Sequence, residues 1–152
     1  MQADDRPLER ELLAGRPVVT PTRGESMQPL LYEGKTLAVL QPVSGPLKKG
    51  DVVLYKRPDG LFVLHRIAKV CGSAYVIRGD NCYYQETVYP EQILGVMTEV
   101  VRSGKTIPVT DFAYRCYWKF WLASYPMRFV VHKPGRTLYH IKKALHWPGS
   151  CR

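Results

Sequence analysis

The chain lacks the cysteine pattern of a metal or dithiol site. Its four cysteines stand far apart, with no C-x-x-C pair and no histidine at metal-ligand spacing: Cys71, Cys82, Cys116 and Cys151. Closely spaced Cys and His ligands are the sign that zinc and redox centres leave in a sequence. We therefore expect no metal, no cofactor and cysteines in the thiol form.

We also expect neither a secretory leader nor a long hydrophobic run. Residues 1–7 carry Asp4 and Asp5 where a secretory signal carries basic residues, and no apolar stretch follows them. The aromatic segment after Thr110 is interrupted by charges, and it falls short of the roughly 20 apolar residues that a spanning helix needs. These features predict a cytoplasmic protein with at most a peripheral contact with a membrane.

Acidic residues are in short supply. There are 13 Asp and Glu against 22 Lys and Arg, which leaves a formal net charge of +9. Such a balance favours anionic partners non-specifically, and charge by itself does not choose between phospholipid headgroups and nucleic acid. The plain alternative is an inert, solvated basic surface. We expect no specific nucleic-acid partner.

What the chain does contain is a series of short apolar segments between turns rich in glycine and proline. With 152 residues and 45% apolar content it suits one core. The pattern predicts a short helix over 8–13 and strands over 18–20, 37–40, 52–55, 62–70, 75–78, 96–102 and 106–109. Residues 1–110 are therefore expected to form a mainly β domain of small twisted sheets or a partly open barrel.

Residues 111–152 form a basic, aromatic-rich extension. A helix is predicted over 111–125 and broken at Pro126, and a second helix over 136–147. Two interpretations stay open. Residues 112–147 contact an anionic membrane surface as amphipathic helices, or the aromatic side chains pack over the β domain as its second layer.

Three short stretches carry the candidate chemistry. They are Gly-Glu-Ser-Met-Gln-Pro at 24–29, Leu-His-Arg-Ile at 64–67 and Arg-Gly-Asp-Asn at 78–81. A nucleophilic serine needs a neighbouring base, and the base needs a group that orients it, so Ser26, His65 and Asp80 together supply a catalytic set. Taken singly, each has an ordinary explanation: a turn serine, a core histidine and an Asx-turn aspartate.

With residues 30–39 and 47–53, these stretches resemble successive boxes of the signal peptidase I family, over about residues 22–101. The resemblance implies a β domain of two small sheets and hydrolysis of a peptide bond by Ser26. Most bacterial members have Lys-Arg where this chain has His65-Arg66, so it is similar to the archaeal and endoplasmic-reticulum branch in which histidine replaces lysine. Histidine titrates near neutral pH without desolvation, which makes His65 the expected general base.

The orienting acid and the oxyanion hole follow from the same resemblance. Asp80 matches the family's Gly-Asp motif, while the histidine branch often has a further aspartate where this chain has Gln85-Glu86. Either Asp80 or Glu86 orients His65, and Asp80 ranks first. The backbone N–H of Ser26 is the expected oxyanion donor. Many members add a serine hydroxyl at the position of Gly24, so here the second donor is absent or comes from the backbone.

The sequence thus predicts a serine endopeptidase that forms an acyl-enzyme. The resemblance implies a cut after small residues, in a dedicated peptide or precursor protein. One alternative is a self-cleaving regulator of the LexA type, which shares the β fold; the sequence has no helix-turn-helix segment and no lysine at position 65 to favour it. The other is a catalytically dead basic module that binds membrane or nucleic acid.

Overall fold

A computed structural model describes residues 6–131, and these form a mainly β structure with two helices at the C-terminal side. This confirms the predicted fold class at that level. The elements are α1 (Arg6–Leu13), β1 (Val18–Pro21), β2 (Thr36–Gln41), β3 (Val52–Lys56), β4 (Phe62–Cys71), β5 (Ala74–Arg78), β6 (Glu86–Val88), β7 (Ile93–Arg102), β8 (Lys105–Pro108), α2 (Phe112–Ala123) and α3 (Tyr125–Val131).

All eight strands belong to one antiparallel sheet, in the order β1-β2-β7-β3-β4-β5-β6, with β8 pairing β7. The expectation of separate small sheets is corrected here, and the reason is the length of β7. This ten-residue strand pairs β2 along one edge, and its other edge pairs first β3 and then β8. Both halves of the β structure are therefore hydrogen-bonded through one strand.

Strand β3 is buried on both faces of the sheet. Val52 and Leu54 lie in one apolar cluster, together with Leu12 of α1, whereas Val53 and Tyr55 lie in a second. Successive side chains of a strand point to opposite faces, so a continuous apolar run serves both clusters. The cleft described below is lined by residues of both faces.

Two local predictions differ from the structure. β6 was not predicted because three residues, Glu-Thr-Val, are too few to show a strand period. Pro126 does not end the first helix, since α2 ends at Ala123 with Ser124 as its C-cap. The proline lies instead in the first turn of α3, where the missing N–H is not needed. The helix predicted over 136–147 lies outside the described residues.

Helix α2 packs on the sheet. The Asp111 side chain caps it by accepting a hydrogen bond from the Tyr114 N–H at 3.0 Å, and the Tyr114 side chain is buried in the first cluster. Trp118 lies against Gly50, where a Cβ atom would come within 2.7 Å of its ring. Because Gly50 also has a φ of +99°, this contact requires glycine. Among residues 6–131, no helix is long and apolar enough to cross a membrane.

Candidate active site

The loop after β1 presents Ser26 to a cleft. Its neighbour Met27 is buried, as are Leu30 and Leu31 further along, so the loop is anchored in the apolar core on one side. Arg102 of β7 holds the loop from the other side, with Nη2 donating to the carbonyl oxygen of Pro29 at 2.9 Å. The half-buried Ser26 is thus carried on a well-anchored turn.

The polar groups of Ser26 fall into two sets. Its carbonyl oxygen accepts a hydrogen bond from the backbone N–H of Asn81 at 2.8 Å, which ties the first motif to the third. Within the described part of the chain, neither its hydroxyl nor its backbone N–H has a hydrogen-bond partner. Both remain available to a molecule in the cleft.

His65 lies on β4 opposite Val53 of β3, with 2% of its surface exposed. Gly79 lets it approach Ser26: a Cβ atom at Gly79 would lie 2.5 Å from the carbonyl oxygen of Ser26 and 2.9 Å from His65 Nε2. A real Cβ does not tolerate such distances, so the glycine of the third motif leaves room for the Ser26 carbonyl oxygen and the His65 ring to lie on the same side of it. The Nε2 atom is therefore the ring nitrogen on the Ser26 side.

The other ring nitrogen of His65, Nδ1, lies 3.4 Å from the Tyr55 hydroxyl. Burial is the largest effect on the pKa of His65 and lowers it to about 4. The negative charge of Glu86 opposes this and raises the pKa, while the smaller effects of Arg57 and Asp80 lower it and raise it, respectively. The imidazole is then neutral at pH 7 and able to accept a proton. Titration near neutral pH, expected from the sequence, is not found because the ring is almost completely shielded from water.

Asp80 does not reach His65. Its carboxylate accepts two hydrogen bonds from Arg66, at 2.8 and 2.7 Å, and one from the Tyr117 hydroxyl at 2.9 Å. Arg66 follows His65 in β4, so its side chain points to the opposite face of the sheet, and it binds Asp80 there. Burial lowers the pKa of Arg66, but the charge and hydrogen bonds of Asp80 outweigh this and raise it overall. The first-ranked orienting acid is thus bound elsewhere.

Glu86, the alternative acid, lies on β6 on the His65 side. Its carboxylate accepts a two-pronged pair of hydrogen bonds from Arg57, of which the Nε–Oε2 bond measures 2.7 Å. No direct hydrogen bond joins Glu86 to His65 among residues 6–131, yet its charge is the strongest of those that favour protonation of the imidazole. Glu86 is therefore a paired, half-buried strand residue.

Gly24 does not supply a second oxyanion donor from its backbone. Its N–H donates to Glu33 Oε2 at 3.0 Å, and its φ of +74° belongs to the tight turn that precedes Ser26. The Ser26 N–H, in contrast, has no hydrogen-bond partner among residues 6–131.

The cleft that Ser26 and His65 line is a cavity of about 300 Å³. Apolar side chains form about half of its wall, contributed by α1, the Ser26 loop and three strands: Leu8, Leu31, Leu40, Leu54, Phe62 and Leu64. The polar half includes, besides Ser26 and His65, the side chains of Thr20, Thr22, Arg23, Arg57 and Tyr84. A concave site that combines apolar side chains with convergent polar groups is suited to binding a ligand. The described residues hold no cluster of three His, Cys, Asp or Glu side chains that would bind a metal ion.

Sequence reasoning missed Tyr55 and Arg57. Tyr55 appears in the sequence as one more apolar residue of a strand, and Arg57 as a charge in the turn after it. The position of Tyr55 becomes clear only from the pairing of β3 with β4, which places Tyr55 diagonally across from His65 on the same face of the sheet.

Comparison of the chain with family models, with curated proteins and with solved structures finds no match in any of the three.

Proposed function

We propose that this chain is a serine endopeptidase of the signal peptidase I type, in its histidine branch, with Ser26 as nucleophile and His65 as general base. One observation carries the proposal. Ser26, whose hydroxyl and N–H have no partner within residues 6–131, and a neutral His65 line one cleft, and the Ser26 carbonyl oxygen and His65 Nε2 border the same space beside Gly79. The three motifs of the resemblance meet at this point.

The groups present are those that acyl transfer requires. Ser26 Oγ attacks the substrate carbonyl while Nε2 of His65 takes its proton, and the Ser26 N–H donates to the oxygen that becomes negative. The imidazolium then protonates the leaving amine, which releases the C-terminal fragment and leaves an ester on Ser26. Water hydrolyses that ester, with His65 again accepting a proton, and this restores the serine.

The proposed substrate is a peptide segment of a precursor protein, cut after a small residue as the resemblance implies. The apolar residues that form about half of the cleft wall suit a segment that buries small uncharged side chains, and the polar half suits its backbone groups.

The proposal is tested with a fluorophosphonate probe, which needs no known substrate because it reacts with an activated serine. We expect covalent labelling of the wild-type chain and complete loss of labelling in Ser26→Ala, with the fold unchanged by circular dichroism. Ser44→Ala, which removes the hydroxyl of an exposed loop serine, is the matched control and should label at the wild-type rate. Undiminished labelling of Ser26→Ala, or none of the wild type, contradicts the proposal.

We also propose a peripheral membrane contact through the outer face of α2 and α3. Phe112, Phe120 and Met127 are 70–79% exposed there, and the exposed Arg115 and Lys119 lie among them. Large apolar side chains flanked by basic ones suit an anionic interface. The inner face of α2 packs on the sheet, so the two interpretations of this segment apply to opposite sides of the same helix.

A further inference from the structure

The turn that follows β5, residues 79–82, lies against the loop of Ser26. Asn81 contacts this loop twice: its backbone N–H donates to the Ser26 carbonyl oxygen at 2.8 Å, and its side-chain Nδ2 donates to the Glu25 carbonyl oxygen at 3.2 Å. These two carbonyls belong to the peptide groups on either side of the Ser26 Cα. Asn81 therefore holds both peptide groups of the nucleophile.

The peptide group before the serine also carries the expected oxyanion donor. The Glu25 carbonyl and the Ser26 N–H form one planar unit, so a donor that fixes the carbonyl also fixes the direction of the N–H. A hydrogen bond accepted by the carbonyl polarises the unit and makes its N–H a stronger donor. Asn81 itself is not one of the described residues that line the cleft, so it acts on the site through Ser26.

Helices α2 and α3 hold the same turn. The Asp80 carbonyl oxygen accepts hydrogen bonds from Trp121 Nε1 at 2.8 Å and from Arg128 Nη1 at 3.2 Å. The Asp80 carbonyl and the Asn81 N–H belong to one trans peptide, in which the two bonds point in opposite directions. The donors on the helices therefore fix the direction in which the Asn81 N–H points, which is towards Ser26.

The indole of Trp121 is itself fixed in place. The Trp121 carbonyl oxygen accepts a hydrogen bond from Arg128 Nη2 at 2.8 Å, and the Arg128 guanidinium lies 3.9 Å from the centre of the indole ring. The Tyr117 ring stacks with the indole at a centroid distance of 5.7 Å and an angle of 27°. A side chain locked by such contacts can hold a neighbouring group in one geometry.

We propose that Asn81 and Trp121 are positioning residues for Ser26: Trp121 holds the Asp80–Asn81 peptide, and Asn81 holds the two peptide groups that flank the serine. This rests on the proposed function and deepens it, because it makes α2 a part of the site. Neither residue gives or takes a proton. If the flanking peptide groups turn, both the hydroxyl and the N–H of Ser26 are misplaced for acyl transfer, and a misplacement of about 1 Å costs up to roughly 100-fold in rate.

Trp121→Phe tests the contact with the helix. It keeps an aromatic ring and deletes the N–H that holds the Asp80 carbonyl. We expect fluorophosphonate labelling to slow about 10-fold, within the range for a misplaced nucleophile, at a temperature where circular dichroism shows the variant folded. Trp118→Phe is the matched control, because it makes the same change in the same helix at a ring that packs against Gly50, and it should label at the wild-type rate.

Asn81→Ala tests the contact with the Ser26 loop, at an exposed position. The backbone N–H remains and the Nδ2 donor to Glu25 is lost, so we expect labelling to slow about 2- to 10-fold, the effect of one lost hydrogen bond. Gln85→Ala removes an exposed amide side chain between β5 and β6 and should label at the wild-type rate. Asn81→Ala does not touch the core, so its result stands even if Trp121→Phe does not fold.

NMR of the backbone amides separates this inference from the proposed function. In Trp121→Phe the Asn81 amide should exchange with solvent faster than in the wild type, while the amide of the buried Ile77 exchanges at the same rate, as expected for a local change. The Ser26 amide signal should shift in Trp121→Phe and in Asn81→Ala.

A wild-type labelling rate in either variant overturns the inference. An unshifted Ser26 signal also overturns it, because the effect would then not pass through the peptide groups of the serine. If the Ser26 signal shifts in both variants but no protein labels, wild type included, the positioning of Ser26 stands and the peptidase proposal fails.

Discussion

The buried Arg66–Asp80 pair allows a sharp distinction between a catalytic and a structural aspartate. Both side chains are at most 1% exposed, and the guanidinium also donates to the Gly50 carbonyl oxygen and the Tyr114 hydroxyl. Asp80→Asn removes the charge that compensates Arg66 and keeps the shape of the side chain. Since the remaining partners of Arg66 are neutral, its positive charge stays buried without compensation.

The magnitude follows from that burial. Breaking a buried pair by removing one partner costs about 3–5 kcal/mol, because an uncompensated charge is left in the interior. For a chain of this length we expect a fall in melting temperature of roughly 10 °C or more. An exposed ion pair gives the control. The side chains of Glu11 and Arg16 are 34% and 59% exposed, so Glu11→Gln, which removes the charge of the pair, should leave the urea midpoint unchanged.

Urea unfolding followed by tryptophan fluorescence measures the stability, and fluorophosphonate labelling at a temperature where both proteins are folded measures the site. We expect Asp80→Asn to be strongly destabilised and yet to label within about threefold of the wild type. The reasoning is refuted if Asp80→Asn unfolds within about 1 kcal/mol of the wild type and has lost its labelling, since Asp80 would then act on His65 and not on Arg66.

Three further outcomes are expected. Gly79→Ala should destabilise the protein by about 1–3 kcal/mol and abolish labelling, because the new Cβ collides with the Ser26 carbonyl oxygen and the His65 ring. Gly45→Ala, whose Cβ has no atom within 4 Å, should do neither. Normal labelling of Gly79→Ala would show that the close packing at Gly79 is not needed for activity. The depressed pKa of His65 means that the unfolded chain binds its proton first, so stability is intact above about pH 6.5 and falls as the pH drops towards 4. This amounts to about 2 kcal/mol between pH 7 and pH 5, and a His65→Gln variant with the same pH dependence would disprove it. Replacing Phe112 and Phe120 together by serine should reduce flotation with anionic phospholipid vesicles at low salt, and undiminished binding would exclude this face as the membrane contact.

The elements of this fold were largely readable from the sequence. Seven of the strands and α1 were predicted within about three residues, because apolar alternation and Gly/Pro turns are local signals. Strand β6 was not predicted because it is only three residues long. The continuous sheet was not predicted because no local pattern shows that β7 pairs β3 and β8 along one edge.

The sequence by itself determined which residue types are available for chemistry: a serine in a tight turn, a histidine in an apolar strand and a Gly-Asp pair that follows a strand. Only the tertiary structure decided how they combine. The alternation of β4 sends Arg66 to Asp80 and His65 to Tyr55, so the aspartate next in the motif stabilises the fold while Glu86, on a strand that was not predicted, faces the histidine side. Burial then lowers the pKa of His65, and burial depends on the packing of the whole sheet, which neighbouring residues in the chain do not specify.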